Sequence, residues 1–261
     1  THNIETLYSD VSNDVISGVG QTEAVTVYAN AGADYIEGSE HDDQLFGQAG
    51  DDILVGGVGQ DALHGGDGND SLYFDQTDTQ VKGGAGFDIG YLQSQSQTVA
   101  QVNMHLSELE RVIGGEGNDL ISAYNKTEKV LISGGAGQDY LQGSAYNDSL
   151  KGDTGNDILI GGAGADSLQG GAGNDELHFD TQDSLVDGGE GYDTGLLGDI
   201  EGAPTSVDLY LTGLERLYGS DQGEVISAYR KTEAVWIDAK AGTDFAEGGK
   251  GDDRINGGDG D

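Results

Sequence analysis

A nine-residue pattern with an aspartate at its sixth position recurs through this chain and restricts its fold more than any other feature. From residue 134 to residue 178 the pattern occurs five times in succession, as GGAGQDYLQ, GSAYNDSLK, GDTGNDILI, GGAGADSLQ and GGAGNDELH. In every copy a leucine lies two residues after the aspartate. The glycine-rich half suits a turn, and the three residues around the leucine suit a short strand whose middle side chain points inward.

Two such nonapeptides make one flattened coil of the chain. Stacked coils give two parallel sheets with a narrow aliphatic core between them, and each coil is stabilised by its neighbours because one coil alone buries too little. The sequence therefore predicts an all-β fold. Its architecture would be a parallel β-roll, a β-solenoid with two nonapeptides per coil.

The charge of the chain limits its partners. The 48 acidic and 11 basic residues give a formal net charge of -37, so the chain repels nucleic acid and anionic membranes and needs cations to become compact. It has no cysteine, which excludes disulfides and thiolate metal sites. No stretch approaches the roughly 18 apolar residues that a membrane span needs. We expect neither nucleic-acid binding nor membrane insertion.

Aspartates that lie two nonapeptides apart are expected to stack on one edge of the solenoid. With strands about 4.8 Å apart, stacked carboxylates repel each other unless a cation lies between them. Calcium fits best, since it accepts six to eight oxygens with loose geometry, including carbonyls, whereas magnesium keeps its waters and zinc prefers His or Cys. We predict multiple Ca²⁺ ions at Asp34, Asp43, Asp52, Asp61, Asp70, Asp88, Asp119, Asp139, Asp148, Asp157, Asp166, Asp175, Asp193, Asp244 and Asp253.

Some positions depart from the pattern. The shorter aspartate column of each copy is expected to stop at Thr79 and Ser184, where the aspartate is missing. Glu224 lies in a glycine-poor turn, GSDQGEV, and is expected to bind calcium weakly. The pairs Glu110-Arg111 and Glu215-Arg216 are interpreted as surface ion pairs.

A longer repeat of 105 residues is superimposed on the nonapeptides, as Glu5, Glu110 and Glu215 illustrate. It predicts one β-roll copy at 1–105, a second at 106–210 and an incomplete third at 211–261. A 22-residue segment closes each copy, and within the segment 197–218 the stretch TSVDLYL alternates like a longer strand. Counting strands gives an odd number per copy. An unbroken solenoid would therefore shift the long aspartate column to the opposite edge in each successive copy.

The units GGVGQDALH at 56–64, GGDGNDSLY at 65–73 and GGAGNDELH at 170–178 resemble the RTX (repeats-in-toxin) nonapeptide, also called the hemolysin-type calcium-binding repeat. The resemblance covers nearly the whole chain. It implies a calcium-loaded β-roll in a bacterial protein exported by type I secretion, and hence a secreted, extracellular or cell-surface location. It also implies that the sixth-position aspartate and carbonyls of the glycine turn bind the ion between adjacent turns.

The histidines do not recur between copies while the carboxylates do, so we expect no enzymatic activity.

Two functional classes remain open. The regular super-repeat favours the structural region of a secreted or cell-surface protein of adhesin, S-layer or matrix type, with calcium ions as partners and other copies of the array or a cell surface as further ones. The alternative is a calcium-dependent folding and secretion module C-terminal to an exported enzyme or toxin.

Overall fold

A computed structural model describes residues 5–78, 80–95, 98–198 and 205–260. The chain divides into two compact units, Thr1–Ala123 and Tyr124–Asp261. Within the described residues each unit consists of short parallel strands and one helical turn.

The strands of the first unit alternate between two faces. They are β1 (Thr6–Tyr8), β2 (Val15–Ser17), β3 (Thr26–Tyr28), β4 (Tyr35–Glu37), β5 (Gln44–Ala49), β6 (Ile53–Val55), β7 (Ala62–Asp67), β8 (Ser71–Phe74), β9 (Gln80–Ala85), β10 (Ile89–Leu92), β11 (Gln101–Asn103), β12 (Arg111–Ile113) and β13 (Leu120–Ser122), with helix α1 at Met104–Ser107. One parallel sheet has the order β1-β3-β5-β7-β9, and the opposite face holds β2-β4-β6-β8-β10-β12. A further pair, β11-β13, follows the first sheet.

The second unit repeats this arrangement. Its elements are β14 (Leu131–Ala136), β15 (Tyr140–Gln142), β16 (Ser149–Thr154), β17 (Ile158–Ile160), β18 (Ser167–Ala172), β19 (Glu176–Phe179), β20 (Leu185–Glu190), β21 (Thr194–Leu197), β22 (Thr205–Asp208), α2 (Leu209–Thr212), β23 (Arg216–Tyr218), β24 (Glu224–Ser227), β25 (Trp236–Asp238), β26 (Phe245–Glu247) and β27 (Arg254–Asn256). One face carries β15-β17-β19-β21-β23-β25-β27. The other carries β14-β16-β18-β20 and then β22-β24-β26.

The register of these strands follows the nonapeptide pattern. Leu141 pairs with Leu159, and Leu159 pairs with Leu177, so equivalent residues of successive coils stack directly. All three side chains are fully buried. The prediction of an all-β, parallel β-roll with two nonapeptides per coil is confirmed.

The glycines of the turns are required for two different reasons. Gly155 has φ +140°, and a Cβ there would lie only 1.3 Å from the carbonyl oxygen of Gly137 in the coil before it. Gly152, at the first position of the same nonapeptide, has ordinary φ, but its Cβ would lie 2.3 Å from Asp157 Oδ2. The turn therefore needs left-handed backbone at one glycine and close approach to the carboxylate at the other.

The 22-residue segment of the second unit interrupts one face and leaves the other continuous. Strand β21 pairs directly with β23, with Thr194 opposite Arg216. On the other face β22 pairs with β24, while α2 packs against β20. The prediction that TSVDLYL forms one longer strand is wrong. Asp208 accepts a hydrogen bond from the Tyr210 N–H at 3.0 Å and caps α2, so the chain turns into a helix after Asp208.

The first unit has the same interruption. Strand β10 pairs with β12, while Asn103 caps α1 by accepting a hydrogen bond from the Leu106 N–H at 3.1 Å. The capping residue thus recurs in both copies of the segment as Asn or Asp. Within each unit the solenoid is therefore unbroken across this segment on one of its two faces.

The inward glycine before each 22-residue segment is compensated by large neighbours. A Cβ on Gly195 would lie 2.6 Å from Leu214 Cδ1 and 2.8 Å from Phe179 Cε1. Leu214 is fully buried and Phe179 nearly so. The space that a leucine fills in the other coils is therefore occupied here by side chains from β19 and from the loop after α2.

The odd number of strands per copy changes which edge carries the aspartates. In the second unit Asp139 precedes β15 and Asp193 precedes β21, which belong to the same sheet. Asp244, 105 residues after Asp139, precedes β26 on the opposite face. Within this unit the long column of one copy and the corresponding aspartate of the next thus lie on different edges, as the strand count predicts.

Candidate metal centre

The sixth-position aspartates form hydrogen-bonded ladders along the edges of the coils. In the second unit the Asp139 N–H donates to Asp157 Oδ1 at 2.8 Å, the Asp157 N–H to Asp175 Oδ1 at 2.8 Å, and the Asp175 N–H to Asp193 Oδ1 at 2.9 Å. Every carboxylate thus uses one oxygen to bind the backbone of the preceding coil. This side-chain bond adds to the strand pairing and fixes the carboxylate at the turn.

The long column of the first unit has the same geometry. The N–H groups of Asp34, Asp52 and Asp70 donate at 2.8 Å to the Oδ1 atoms of Asp52, Asp70 and Asp88. Asp14 joins from the preceding coil, because its N–H donates to Asp34 Oδ1 at 2.8 Å. The ladder is therefore a property of the repeat and not of one copy.

The shorter columns begin in the same way. The Val130 N–H donates to Asp148 Oδ1 and the Asp148 N–H to Asp166 Oδ1, both at 2.8 Å. In the first unit Asp43 accepts from Val25 at 2.7 Å and Asp61 accepts from Asp43 at 2.8 Å. Both edges of the solenoid thus carry ordered carboxylates.

Most of the predicted metal ligands are buried. Thirteen are at most 3% exposed, namely Asp34, Asp43, Asp52, Asp61, Asp70, Asp88, Asp119, Asp139, Asp148, Asp157, Asp166, Asp175 and Asp193. The other two are partly exposed. Asp244 accepts a hydrogen bond from the Glu224 N–H at 2.9 Å, and Asp253 accepts one from the Val235 N–H at 3.0 Å.

The second oxygen of many of these carboxylates has no donor. Among the described residues, none donates a hydrogen bond to the buried Oδ2 atoms of Asp34, Asp52, Asp70, Asp157, Asp166, Asp175 and Asp193. A buried carboxylate oxygen without a partner carries a large desolvation cost. A cation placed against these oxygens would remove that cost, so the residues present fit a metal ion.

Backbone carbonyls converge on the same positions. A Cβ on Gly152 would lie 2.3 Å from Asp157 Oδ2 and 2.5 Å from the carbonyl oxygen of Gly170, one coil further on. Among the described residues no three His, Cys, Asp or Glu side chains come together as a metal cluster. A cation would therefore be held by carboxylates of adjacent coils together with carbonyls, a donor set made only of oxygen that suits calcium.

Burial raises the pKa of the column carboxyls. It raises the pKa of Asp157 to about 7, with the like charges of Asp139 and Asp175 adding to the shift and a hydrogen bond from the Asp139 backbone opposing it. Burial likewise raises the pKa of Asp70 and of Asp193 to about 6. Near neutral pH the charged columns are therefore destabilised when no cation is bound, and protons compete with a cation for the same oxygens.

The shorter column of the second unit does not stop at Ser184, so that expectation is wrong. The preceding residue, Asp183, takes over, and its Oδ1 accepts a hydrogen bond from the Asp166 N–H at 3.0 Å. Its Oδ2 accepts from the Asp180 N–H at 2.8 Å, so both oxygens are satisfied. In the first unit Asp78 accepts from Asp61 at 2.9 Å, and the corresponding expectation for Thr79 lies outside the described residues.

The interpretation of Glu110 as half of a surface pair is also wrong. Glu110 is only 7% exposed, and its Oε2 accepts a hydrogen bond from the Asp88 N–H at 2.8 Å. Glu215 accepts the corresponding bond from the Asp193 N–H at 2.9 Å. Glutamate thus continues the long column across the 22-residue segment. The recurrence of a Glu-Arg pair 22 residues after the last aspartate was the signal that could have found it.

Serines satisfy the carboxylates at the start of the shorter columns. Asp148 Oδ2 accepts from the Ser144 N–H at 2.6 Å and from its hydroxyl at 2.9 Å. Ser39 contacts Asp43 in the same way. Glu224 is fully buried despite its glycine-poor turn, and Ser220 donates to it. The replacement of the second glycine by serine therefore changes the surroundings of the carboxylate but leaves it in the ladder.

Two histidines lie on the outer faces of the strands and not beside the columns. His64 stacks on Phe46 with ring centroids 4.9 Å apart. His178 Nε2 lies 2.6 Å from Glu176 Oε1. Both have ordinary structural neighbours.

Within the described part of the chain, neither helix has the length or the apolar run that a bilayer crossing requires.

Comparison with known proteins places these ladders in a family. A search of curated proteins finds no match. A family model, the RTX calcium-binding nonapeptide repeat (4 copies), matches residues 26–54, 37–72, 46–89, 110–125, 133–168, 152–186, 164–194 and 236–261, which together make up more than half of the chain. The chain therefore belongs to the RTX family of calcium-binding nonapeptide repeat proteins.

Proposed function

We propose that the chain is the calcium-binding structural repeat region of a secreted or cell-surface bacterial protein of adhesin, S-layer or matrix type, which folds when it meets calcium outside the cell. The observation that supports this proposal is the series of buried carboxylates that each lack a partner for one oxygen. The net charge of -37 adds to it, because a compact chain of this charge needs bound cations.

The proposed ligands are the sixth-position aspartates with the carbonyls of the glycine turns. The side chains are Asp34, Asp43, Asp52, Asp61, Asp70, Asp88, Asp119, Asp139, Asp148, Asp157, Asp166, Asp175, Asp193, Asp244 and Asp253. A calcium ion supplies the positive charge that the stacked carboxylates lack. In the folded chain the backbone N–H bond to Oδ1, as at Asp157 and Asp175, fixes the orientation of the carboxylate that would hold the ion.

Calcium titration followed by circular dichroism tests this function. We expect little β signal in EDTA, because the charged columns oppose folding and ions bound only by the folded state stabilise it by mass action. Added calcium should produce the β signal with a midpoint on the order of 0.1–1 mM, as in extracellular calcium modules. Magnesium at the same concentration should not. A full β signal in EDTA would contradict the proposal.

The long repeat favours one of the two classes of protein that could carry such a region. The 105-residue period recurs without insertion or deletion, which favours a structural array whose copies correspond to 1–105, 106–210 and 211–261. Sequencing the gene on both sides of this region tests it. Further copies of the repeat support the array, whereas an adjoining catalytic domain supports a folding and secretion module of an exported enzyme or toxin.

A further inference from the structure

The long aspartate column of the second unit ends on a carboxylate that already has a cation. Glu215 takes the place of the next aspartate after Asp193, since its Oε2 accepts the Asp193 N–H. Its other oxygen, Oε1, forms an ion pair with Lys231 Nζ. Within the column, by contrast, no described residue donates a hydrogen bond to Asp157 Oδ2. Glu215 thus differs from the aspartates before it because the chain supplies its counter-charge.

The ion pair is enclosed by the fold. The Lys231 side chain is 7% exposed and that of Glu215 is 14% exposed. The backbone holds the lysine, because its N–H donates to Ala228 at 2.8 Å and its carbonyl accepts from Lys250 at 2.9 Å. A buried ammonium stays charged only when it is paired with a carboxylate. The ion pair with Glu215 therefore fixes the position of Lys231 Nζ.

We propose that Lys231 Nζ occupies, as a tethered cation, the calcium position that would otherwise form between Asp193 and Glu215. This inference rests on the proposed calcium function of the column. The ammonium neutralises the last carboxylate, so the column stops binding metal at β23 although its ladder of hydrogen bonds continues. Removing the ammonium should convert the position into one more calcium site, because the carboxylates of Asp193 and Glu215 would then lack a counter-charge.

Two further observations agree with a column that ends without a metal ion. The last carboxylate of the shorter column, Asp183, also has a partner for each oxygen, since both oxygens accept hydrogen bonds from backbone N–H groups. The residue types also recur 105 residues earlier as Glu110 and the buried Lys126.

Calcium stoichiometry of three proteins tests the assignment. The proteins are the full chain, Lys231→Met, and Lys250→Met as a control that removes the exposed ammonium of the residue whose backbone N–H donates to the Lys231 carbonyl. Bound calcium per chain would be measured by equilibrium dialysis at saturating calcium. We expect Lys231→Met to bind one ion more than the other two proteins, and a crystal structure of the loaded variant to show that ion between Asp193 and Glu215.

The outcomes separate the two proposals. If the unmodified chain binds no calcium, the calcium function itself fails. If it binds calcium and Lys231→Met binds the same number of ions, only the role of Lys231 is overturned. Should Lys231→Met not fold, the calcium-loaded structure of the unmodified chain decides. Lys231 on Glu215 with no ion beside it supports the assignment, and an ion between Asp193 and Glu215 overturns it.

Discussion

Each column aspartate performs two tasks with two oxygens. Asp157 Oδ1 accepts the Asp139 N–H at 2.8 Å, while Oδ2 has no donor among the described residues. The first oxygen holds two coils together and the second is free for a cation. The two tasks can be separated by mutation, because asparagine keeps an acceptor for the backbone bond but lacks the charge.

The substitution Asp157→Asn should therefore remove calcium without destroying the ladder. Asp157 lies between Asp139 and Asp175, so we expect the loss of about two ions per chain, one above and one below, because each ion draws on carboxylates of adjacent coils. The midpoint of calcium-induced folding should rise in the same variant. Calcium counting and titration by circular dichroism measure both effects.

Asp153→Asn is the matched control. Asp153 belongs to the same nonapeptide, is exposed, and has φ +71°, a conformation that asparagine tolerates well. It removes the same charge but no proposed ligand, so calcium binding should stay close to that of the unmodified chain. Equal losses in the two variants would mean that the carboxylates act as a diffuse counter-charge and bind no ion at defined positions.

Protons should imitate part of the effect of calcium. The pKa of Asp157 is raised from 3.8 to about 7 in the folded chain, so the protonated carboxyl favours the fold. This contribution is complete below pH 3.8 and is lost as the pH rises through about 7. Metal-free protein should gain β signal when the pH is lowered from neutral, and calcium should bind more weakly at pH 6 than at pH 8. Metal-free spectra that do not change with pH would contradict this.

The positions of the ligands could be predicted because the nonapeptide fixes them. The spacing places each aspartate at a turn, and burial of Asp52 and Asp70 follows from it. Glu110 and Asp183 could not be found in that way. Glu110 reaches the column only because the 22-residue segment folds into one extra coil, and Asp183 replaces the residue after it by a shift of the turn.

The inward side chain of each strand is determined by the coil around it. A leucine is usual at this position, but Gly195 faces Phe179 and Leu214, and even a Cβ would lie within 2.6 Å of the latter. Gly195→Leu restores the usual pattern and should nevertheless destabilise the calcium-loaded chain by about 1–3 kcal/mol, because it overfills the core. Chemical denaturation in excess calcium measures the loss.

Gly198→Ala provides the comparison for that variant. A Cβ on Gly198 would meet only the Phe179 carbonyl oxygen, at an ordinary contact distance of 3.5 Å. We expect its free energy of unfolding to stay near that of the unmodified chain. Should Gly195→Leu be as stable as Gly198→Ala, the packing of Phe179 and Leu214 against this glycine would not be what fills the core.

The segment that contains α2 shows where alternation misleads. Val207 and Leu209 are both buried, as an alternating strand would require, yet a helix begins at Leu209. The deciding residue is Asp208, whose side chain caps the helix, and Gly213 ends it in the left-handed region with φ +68°. A four-residue helix bounded in this way buries the same side chains as a strand, so hydrophobic pattern alone does not distinguish them.

Charge repulsion and specific binding make different predictions for the compaction of the chain. With a net charge of -37, salt alone should shrink the calcium-free chain somewhat, because about 0.1 M NaCl screens charges beyond roughly 10 Å. Calcium should produce a larger decrease in hydrodynamic radius at far lower ionic strength, since it joins adjacent coils. Analytical ultracentrifugation in the two salts would decide, and equal compaction would argue against bound ions.

The odd number of strands in each copy has a consequence for recognition. Asp139 and Asp244 occupy the same place in the sequence repeat but lie on opposite edges of the second unit. In a longer array built from such copies, the amino-acid sequence would repeat every 105 residues whereas its three-dimensional pattern would repeat only after two copies. A partner that binds the edge with the long aspartate column would find that column on the same side only in every second copy, and an even number of copies would present the long column equally on both sides.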